Sequence, residues 1–307
     1  MRHVIITGGT GFVGSSLVGS LQQKDPQIKK IFILTRNKSS AVKKSKSDDD
    51  KIEYIESFDY FKDNTKIDTI INLAGEPIAD KRWSNEQKTR LRQSRINTTR
   101  DVIQLIARLK TKPQTLISAS AIGYYGSQDP DEQLDEDSKP HEEFTHFLCK
   151  DWENEARKAE KYGVRVCLTR FGVIFGKNGG ALKKMLTPFK LGLGGKIASG
   201  EQVMSWIHLT DIVRAITFLI NNEDCNGEYN LCAPNAVSNK KFTKSLSAVL
   251  HRPAFFDMPM LAVKMLFGEM GETLLAKGQN VYPRRLLEEG FNFRYRRVDA
   301  ALKNIVG

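Results

Sequence analysis

The chain has 307 residues, enough for one large domain or a large domain with a smaller companion. At 40% hydrophobic and 27% charged, its composition is that of a globular protein and excludes a fibrous or low-complexity chain. The formal net charge is +11. The basic residues are spread along the chain with no nucleic-acid-binding motif among them, so no nucleic-acid partner is expected and the charge suits small anionic ligands. No apolar run approaches the roughly 18 residues of a membrane helix. The chain enters a strand almost at once, which leaves no room for a signal peptide. Cys149, Cys167, Cys225 and Cys232 show no C-x-x-C spacing. A reduced, cytoplasmic setting is therefore expected.

Val4, Ile5 and Ile6 form a β-branched apolar run that reads as a buried strand of a parallel sheet. Residues 7–11 then turn sharply into a helix expected over Phe12–Leu21. Gly8, Gly11 and Gly14 recur at every third position. The first permits a tight turn, the second lets a pyrophosphate approach the backbone, and the third lets helix and strand pack closely. Phosphates would sit on free N–H groups at the positive end of the helix, around Phe12 and Val13. Strand, glycine turn and helix in this order predict a dinucleotide site. The G-x-x-G-x-x-G spacing, preceded by Thr7, resembles the short-chain dehydrogenase/reductase superfamily, especially its extended epimerase/dehydratase branch.

The second strand is expected over Lys30–Thr35, with Arg36 at its end. An acidic residue there would bind the ribose 2′-hydroxyl of NAD. An arginine, helped by Thr35, Asn37 or Lys38, suits a 2′-phosphate and favours NADP(H). Residues 37–51 are polar and of low complexity and read as a mobile surface loop. Ile52–Ile55 is a third strand and Asp68–Leu73 a fourth, running into Ala74 and Gly75. Their small size would let the backbone lie against the adenine-ribose side of a cofactor. Residues 72–75 (NLAG) resemble the N-x-A-G element of the superfamily. Ser84 with Gln87 forms a capping box before a long helix reaching about Leu109. Asn97 falls inside it, either as the asparagine that extended members use to support the active site or as a polar residue on a helix face.

Thr115–Ser120 is the fifth strand. Ligands of open α/β sheets bind beyond the carboxyl ends of the strands, which places Ser118, Ser120, Tyr124 and Tyr125 well. In the extended branch a Ser or Thr lies four residues before a Tyr in this turn, and Ser120 and Tyr124 match that spacing. The resemblance implies that Ser120 hydrogen-bonds the reacting oxygen of a substrate. Residues 127–143 read as an acidic lid-like loop and Phe144–Tyr162 as a helix. Here the superfamily carries Y-x-x-x-K, a tyrosine acid/base and a lysine that holds the nicotinamide ribose. Counted from Ser120, the pair falls at His146 and Lys150, so the lysine is present and the tyrosine is not. His146, Tyr124 or Tyr125 would have to move the proton.

Val164–Arg170 is the sixth strand, and residues 170–176 (RFGVIFG) resemble the run where such chains leave the cofactor half. Trp206–Asp211 resembles the superfamily's F-[VI]-H-[VL]-x-D element. His208 and Asp211 are expected to fix the start of a helix over Ile212–Ile220 rather than to catalyse. Gly227–Leu231 should return to the main sheet. Beyond it, Phe242–Leu250 reads as a helix and Pro259–Ala276 as an apolar helix suited to a core or a substrate cover. Pro283 starts a helix, Phe291–Tyr295 reads as a strand, and Val298–Ile305 closes the chain.

With TGGTGFVG at 7–14, NLAGEPI at 72–78, SASAIGYYG at 118–126, RFGVIFGKNGGAL at 170–182, SWIHLTDI at 205–212 and GQNVYPRRL at 278–286, the chain is identified as a member of the epimerase family of extended, atypical short-chain dehydrogenase/reductases with a small C-terminal domain. The resemblance implies an α/β fold: a Rossmann-type doubly wound parallel sheet over 1–233, with 176–205 as a substrate-side excursion, and a smaller C-terminal α+β domain over 234–307 covering the cleft. It implies NADP(H), held by Thr7, Gly8, Gly11, Phe12, Val13, Gly14, Thr35, Arg36, Leu73, Ala74, Gly75 and Lys150, and no metal. The substrate would be a small molecule, anionic or sugar-nucleotide-like, which Lys81, Arg82, Arg284 and Arg285 would attract. Two functions stay open. One is an NADP(H)-dependent oxidoreductase or epimerase using Ser120, Tyr124, His146 and Lys150. The other is an NADP(H)-binding sensor that lost its chemistry with the tyrosine. A homodimer through the helices near 85–109 and 144–162 is a family-level expectation, without a membrane or nucleic-acid partner.

Overall fold

The computed structural model describes residues 2–44 and 50–307. The first half alternates strand and helix: β1 Arg2–Thr7, α1 Phe12–Lys24, β2 Ile28–Leu34, α2 Lys38–Lys44, β3 Ile52–Ile55, β4 Thr69–Asn72, α3 Asn85–Arg108 and β5 Thr115–Ala121. Then come β6 Gln133–Leu134, α4 Phe144–Arg157, β7 Arg165–Phe171, β8 Val173–Gly176, α5 Gly180–Lys190, β9 Val203–Met204, β10 Trp206–His208, α6 Leu209–Asn221 and β11 Gly227–Leu231. The tail holds β12 Val237–Ser238, α7 Asn239–Leu250, α8 Met260–Gly271, β13 Asn280–Val281, α9 Arg284–Glu288 and α10 Val298–Val306.

Seven strands form one sheet in the order β11-β7-β5-β4-β1-β2-β3, every pair parallel. Burial on both faces of the sheet explains why the middle of β1, Val4–Ile6, is apolar at every position. Val4 and Ile6 pack on one face with Leu17, Leu21, Ile212 and Ile216 of α1 and α6. Ile5 packs on the other with Val102 and Ile106 of α3 and with Leu116 and Leu168. The strand order reverses between β1 and β4, the position where open α/β sheets bind their ligands. No helix among the described residues is long and apolar enough to cross a membrane.

The tail shares a core with the excursion after β7. Phe175, Leu182 and Trp206 pack with Phe242, Leu246, Val298, Leu302 and Ile305. Asp211, fully buried at the start of α6, accepts the backbone N–H groups of Arg294 (2.9 Å) and Tyr295 (2.8 Å). The expected strand at Phe291–Tyr295 is therefore absent as a ladder. Phe291 and Phe293 alternate inward against the α6 side of the sheet, which produces the strand-like pattern, but the amides serve a carboxylate.

Two other expectations need correction. Residues 38–44 are helical rather than looped, started by the Asn37 side chain accepting the Ser40 N–H at 2.8 Å. Among the side chains described there only Ala41 is buried, so the segment has no apolar period to announce it. The rest of that stretch, 45–49, lies outside the described residues. The helix expected over Pro259–Ala276 breaks at Gly268 (φ 60°, ψ −146°), where the Arg82 guanidinium lies against the glycine.

Candidate functional site

The glycine turn has the shape that a pyrophosphate requires. Gly8 sits at φ +67°, and a Cβ there would lie 2.8 Å from the Leu73 carbonyl. A Cβ on Gly14 would lie 2.2 Å from the Gly8 oxygen, so the helix can approach only because position 14 has no side chain. Gly11 is exposed and caps α1 with no side-chain hydrogen bond, and the first turn holds no acidic residue. The leading N–H groups of α1 are thus left for an anion. Phe12 lies beneath a second glycine turn: Cβ atoms on Gly176, Gly179 and Gly180 would come within 2.7, 2.4 and 2.9 Å of its ring. Thr35 is half-buried. Arg36 is exposed at the end of β2, with no carboxylate in ion-pair reach among the described residues. These residues fit a dinucleotide cofactor.

Thr7 does a different job from the one expected. It is fully buried; its hydroxyl donates to Asn72 Oδ1 at 2.6 Å and accepts from the Ala74 N–H at 3.2 Å. Asn72 donates in turn to Thr99 Oγ1 (2.8 Å) and Ser118 Oγ (3.3 Å), and the Trp152 indole N–H also reaches Thr99 (3.0 Å). This closed network fixes the carboxyl ends of β1, β4 and β5 against α3 and α4. Thr7, Asn72 and Ser118 therefore set the floor of the site without facing it. Leu73 and Ala74 remain half-exposed along its edge. Asn97 is exposed, and Thr99 is the α3 residue tied to the site.

At the end of β5 the expected proton relay does not assemble. Ser120 is 2% exposed and donates at 2.6 Å to Glu153 Oε1 of α4. Glu153 also takes a two-pronged grip from buried Arg170, with Nε and Nη2 each at 2.9 Å. Burial works against the Arg170 charge, but the Glu153 carboxylate outweighs it and holds the guanidinium above its ordinary pKa. His146 is buried, and its Nδ1 meets the Tyr124 carbonyl at 2.6 Å, which assigns that nitrogen the proton. Lys150 is exposed and makes no hydrogen bond or ion pair among the described residues.

Thr145 and Cys149, four apart on α4, face the turn just after β5, and Glu153 continues that face to Ser120. A Cβ on Gly123 would lie 3.1 Å from Thr145 Cβ and 3.7 Å from Cys149 Sγ. The helix face is one position earlier than counting from Ser120 predicts. Burial pushes the Cys149 thiol up to about 12, so it is neutral. Tyr125 is fully buried and donates to Asn230 Oδ1 at 2.8 Å; burial raises its phenol above the ordinary value. Tyr124 is half-exposed, its ring face 3.5 Å from Arg170 Cζ, and its hydroxyl makes no hydrogen bond among the described residues.

The other basic candidates divide. Arg284 pairs with Asp135 and Asp137, and Arg285 with Asp137 and Glu228, so both fasten the 127–143 loop to the tail. Lys81 and Arg82 are exposed. His208 accepts the Thr210 N–H at 3.0 Å and caps α6, as the sequence suggested. Sequence reading missed Glu153 and Arg170 as a pair. Arg170 opened a quoted motif, but nothing in spacing alone joins it to a glutamate on another element.

Comparison with known proteins agrees with this geometry. Residues 4–232 match the model of the NAD dependent epimerase/dehydratase family, and residues 258–305 match a domain of unknown function, DUF1731. The chain is 36% identical to epimerase family protein SH2119 of Staphylococcus haemolyticus, over 100% of this chain and 99% of that one. It is 35% identical to epimerase family protein YfhF of Bacillus subtilis, over 99% and 98%. Among solved structures it resembles the human epimerase family protein SDR39U1 with NADPH, at 30% identity and a TM-score of 0.86, covering 99% of both chains. The chain belongs to the NAD dependent epimerase/dehydratase family.

Proposed function

We propose that the chain is an NADP(H)-binding protein whose nicotinamide end works without the serine–tyrosine–lysine relay, and that it serves as a cofactor-holding regulatory protein rather than a sugar-nucleotide epimerase. The observation that carries this reading is the Ser120 hydroxyl, buried and spent on Glu153 at 2.6 Å. Thr145 and Cys149 face the same place with neither a phenol nor an ammonium group. The glycine cradle and Arg36 support NADP(H), as does the human relative's structure with NADPH. When bound, the cofactor carries a transferable hydride. The residues of this chain hold its phosphates at α1 and its 2′-phosphate at Arg36. The four buried free cysteines support a reducing, cytoplasmic setting.

The test is titration with NADPH and NADH, followed by sugar nucleotides and small carbonyl compounds with products tracked by NMR. Tight NADPH binding without epimer or reduced product is the expected result. Turnover that Ser120→Ala or Lys150→Ala abolishes would overturn the reading. Arg36→Gln is expected to raise the Kd for NADPH about tenfold to a hundredfold, or about 1.4–2.7 kcal/mol, and to leave NADH unchanged.

One observation favours a second reading, an NADPH-dependent reductase with a single acid. Tyr124 offers a half-exposed phenol with an unengaged hydroxyl beside the site. In that case Tyr124→Phe lowers turnover by about a hundredfold or more at unchanged NADPH affinity. Turnover that Tyr124→Phe leaves intact excludes the tyrosine.

A further inference from the structure

Arg95, on α3, is a cation held in place without an ion pair among the described residues. Its side chain lies flat on Gly75: a Cβ there would stand 3.3 Å from Arg95 Cγ and from Cζ. The guanidinium carbon is 5.2 Å from the centroid of the Trp152 ring. Nη1 donates to the Leu91 carbonyl at 2.8 Å and Nη2 to the Glu76 carbonyl at 3.0 Å. A guanidinium has five N–H groups, so these bonds leave donors over. No carboxylate lies in ion-pair reach of Arg95 among the described residues. The nearby Glu76 side chain accepts instead from Gln87 Nε2 at 3.0 Å. Desolvation lowers the Arg95 pKa and outweighs the opposing pull of the Glu76 carboxylate, which is near but not in ion-pair contact. Such a charge is costly to keep unless a ligand completes it.

Its position says which ligand. Gly75 follows Leu73 and Ala74, whose backbone atoms touch the phosphate-turn residue Gly8. On the other side, Cys149 and Trp152 of α4 flank Arg95, and Cys149 faces Gly123 at the end of β5. Arg95 thus stands between the glycine turn and β5, along the path a dinucleotide takes across the carboxyl ends of β1, β4 and β5. The lysine expected on this path, Lys150, is exposed elsewhere on α4.

We infer that Arg95 anchors the nicotinamide-ribose half of the bound dinucleotide, donating to its ribose hydroxyls and adjoining phosphate oxygens in the role expected of the lysine. A side chain at position 75 would crowd the guanidinium, whose Cζ lies 3.3 Å from where its Cβ would stand. This inference rests on the proposed NADP(H) binding and adds a named contact to it.

The test compares NADPH with 2′,5′-ADP, which keeps the adenosine and 2′-phosphate and lacks the nicotinamide half. Calorimetry on the wild type, Arg95→Gln and Arg95→Lys gives both dissociation constants, and thermal melts report folding. Arg95→Gln should weaken NADPH about tenfold, or about 1.4 kcal/mol, and leave 2′,5′-ADP within about twofold. Arg95→Lys keeps the charge but loses the fork, so it should weaken NADPH by about threefold with 2′,5′-ADP again unchanged. Should Arg95→Gln fail to fold, the lysine variant decides. An unchanged NADPH to 2′,5′-ADP ratio in a folded variant overturns the Arg95 assignment while leaving cofactor binding standing. Failure of the wild type to bind NADPH overturns both.

Discussion

Replacing Arg170 with methionine is expected to cost about 3–5 kcal/mol of folding stability, read as a fall in the urea midpoint by circular dichroism. Arg170 is 2% exposed and Glu153 is 3% exposed, so the pair lies far from water. The guanidinium fills both Glu153 oxygens, and its Nη1 donates to the Tyr125 hydroxyl at 3.0 Å. Tyr125 passes the chain of bonds to Asn230 of β11, whose side chain donates to the Tyr282 carbonyl at 3.0 Å. Removing the arginine strands a buried carboxylate with Ser120 as its remaining side-chain donor. The double variant Arg170→Met, Glu153→Leu should recover most of the loss, because both charges leave together. A single-variant loss below about 1 kcal/mol would mean that water reaches the pair.

Gly14→Ala is expected to weaken NADPH binding by about a hundredfold or more, a change of about 2.7 kcal/mol. The added methyl would lie 2.2 Å from the Gly8 oxygen and 2.7 Å from Gly9 Cα, both backbone atoms that no rotamer can move aside. Helix and phosphate turn must separate, which takes the leading N–H groups of α1 away from the phosphates. Gly19→Ala, on the same helix with nothing within 4 Å of the new Cβ, should keep NADPH affinity and add about 0.5–1 kcal/mol of stability. Equal NADPH affinity in both variants would remove the turn from the cofactor site.

The sheet, the glycine turn and the family were legible because each rests on local pattern. A β-branched run, glycines at a fixed interval and apolar positions at helical spacing are written contiguously. The start of α3 was legible for the same reason: Ser84 accepts the Gln87 N–H at 3.1 Å. The capping box itself is only half made, since the Gln87 side chain turns to Glu76. What failed depended on distance in the chain. The count that placed His146 and Lys150 in the site assumed a loop length, and a slip of one residue turns a helix by about 100°. The inward face could have been found from α4 itself, since Cys149, Trp152 and Ala156 follow the helical period. Thr7 read as a ligand contact because the motif carries it. Its role comes from Asn72 and Thr99, on other elements, which no spacing connects to it.

The buried carboxylate at the start of α6 has a consequence for exchanging parts between relatives. Family comparison divides the chain into a large piece and a small one, at 4–232 and 258–305. Asp211 and its ion-pair partner Arg214 belong to the first, and the two amides that also donate to the carboxylate, at Arg294 and Tyr295, belong to the second. The large piece alone would keep the Arg214 guanidinium on Asp211 Oδ1 at 2.9 Å but lose both amide donors, including the Tyr295 N–H on Oδ2. A tail grafted from another relative will be accepted only if its backbone returns two N–H groups to that carboxylate. The tail is thus part of the electrostatics of the sheet domain, and the compatible donor is defined by the path of its backbone more than by its side chains.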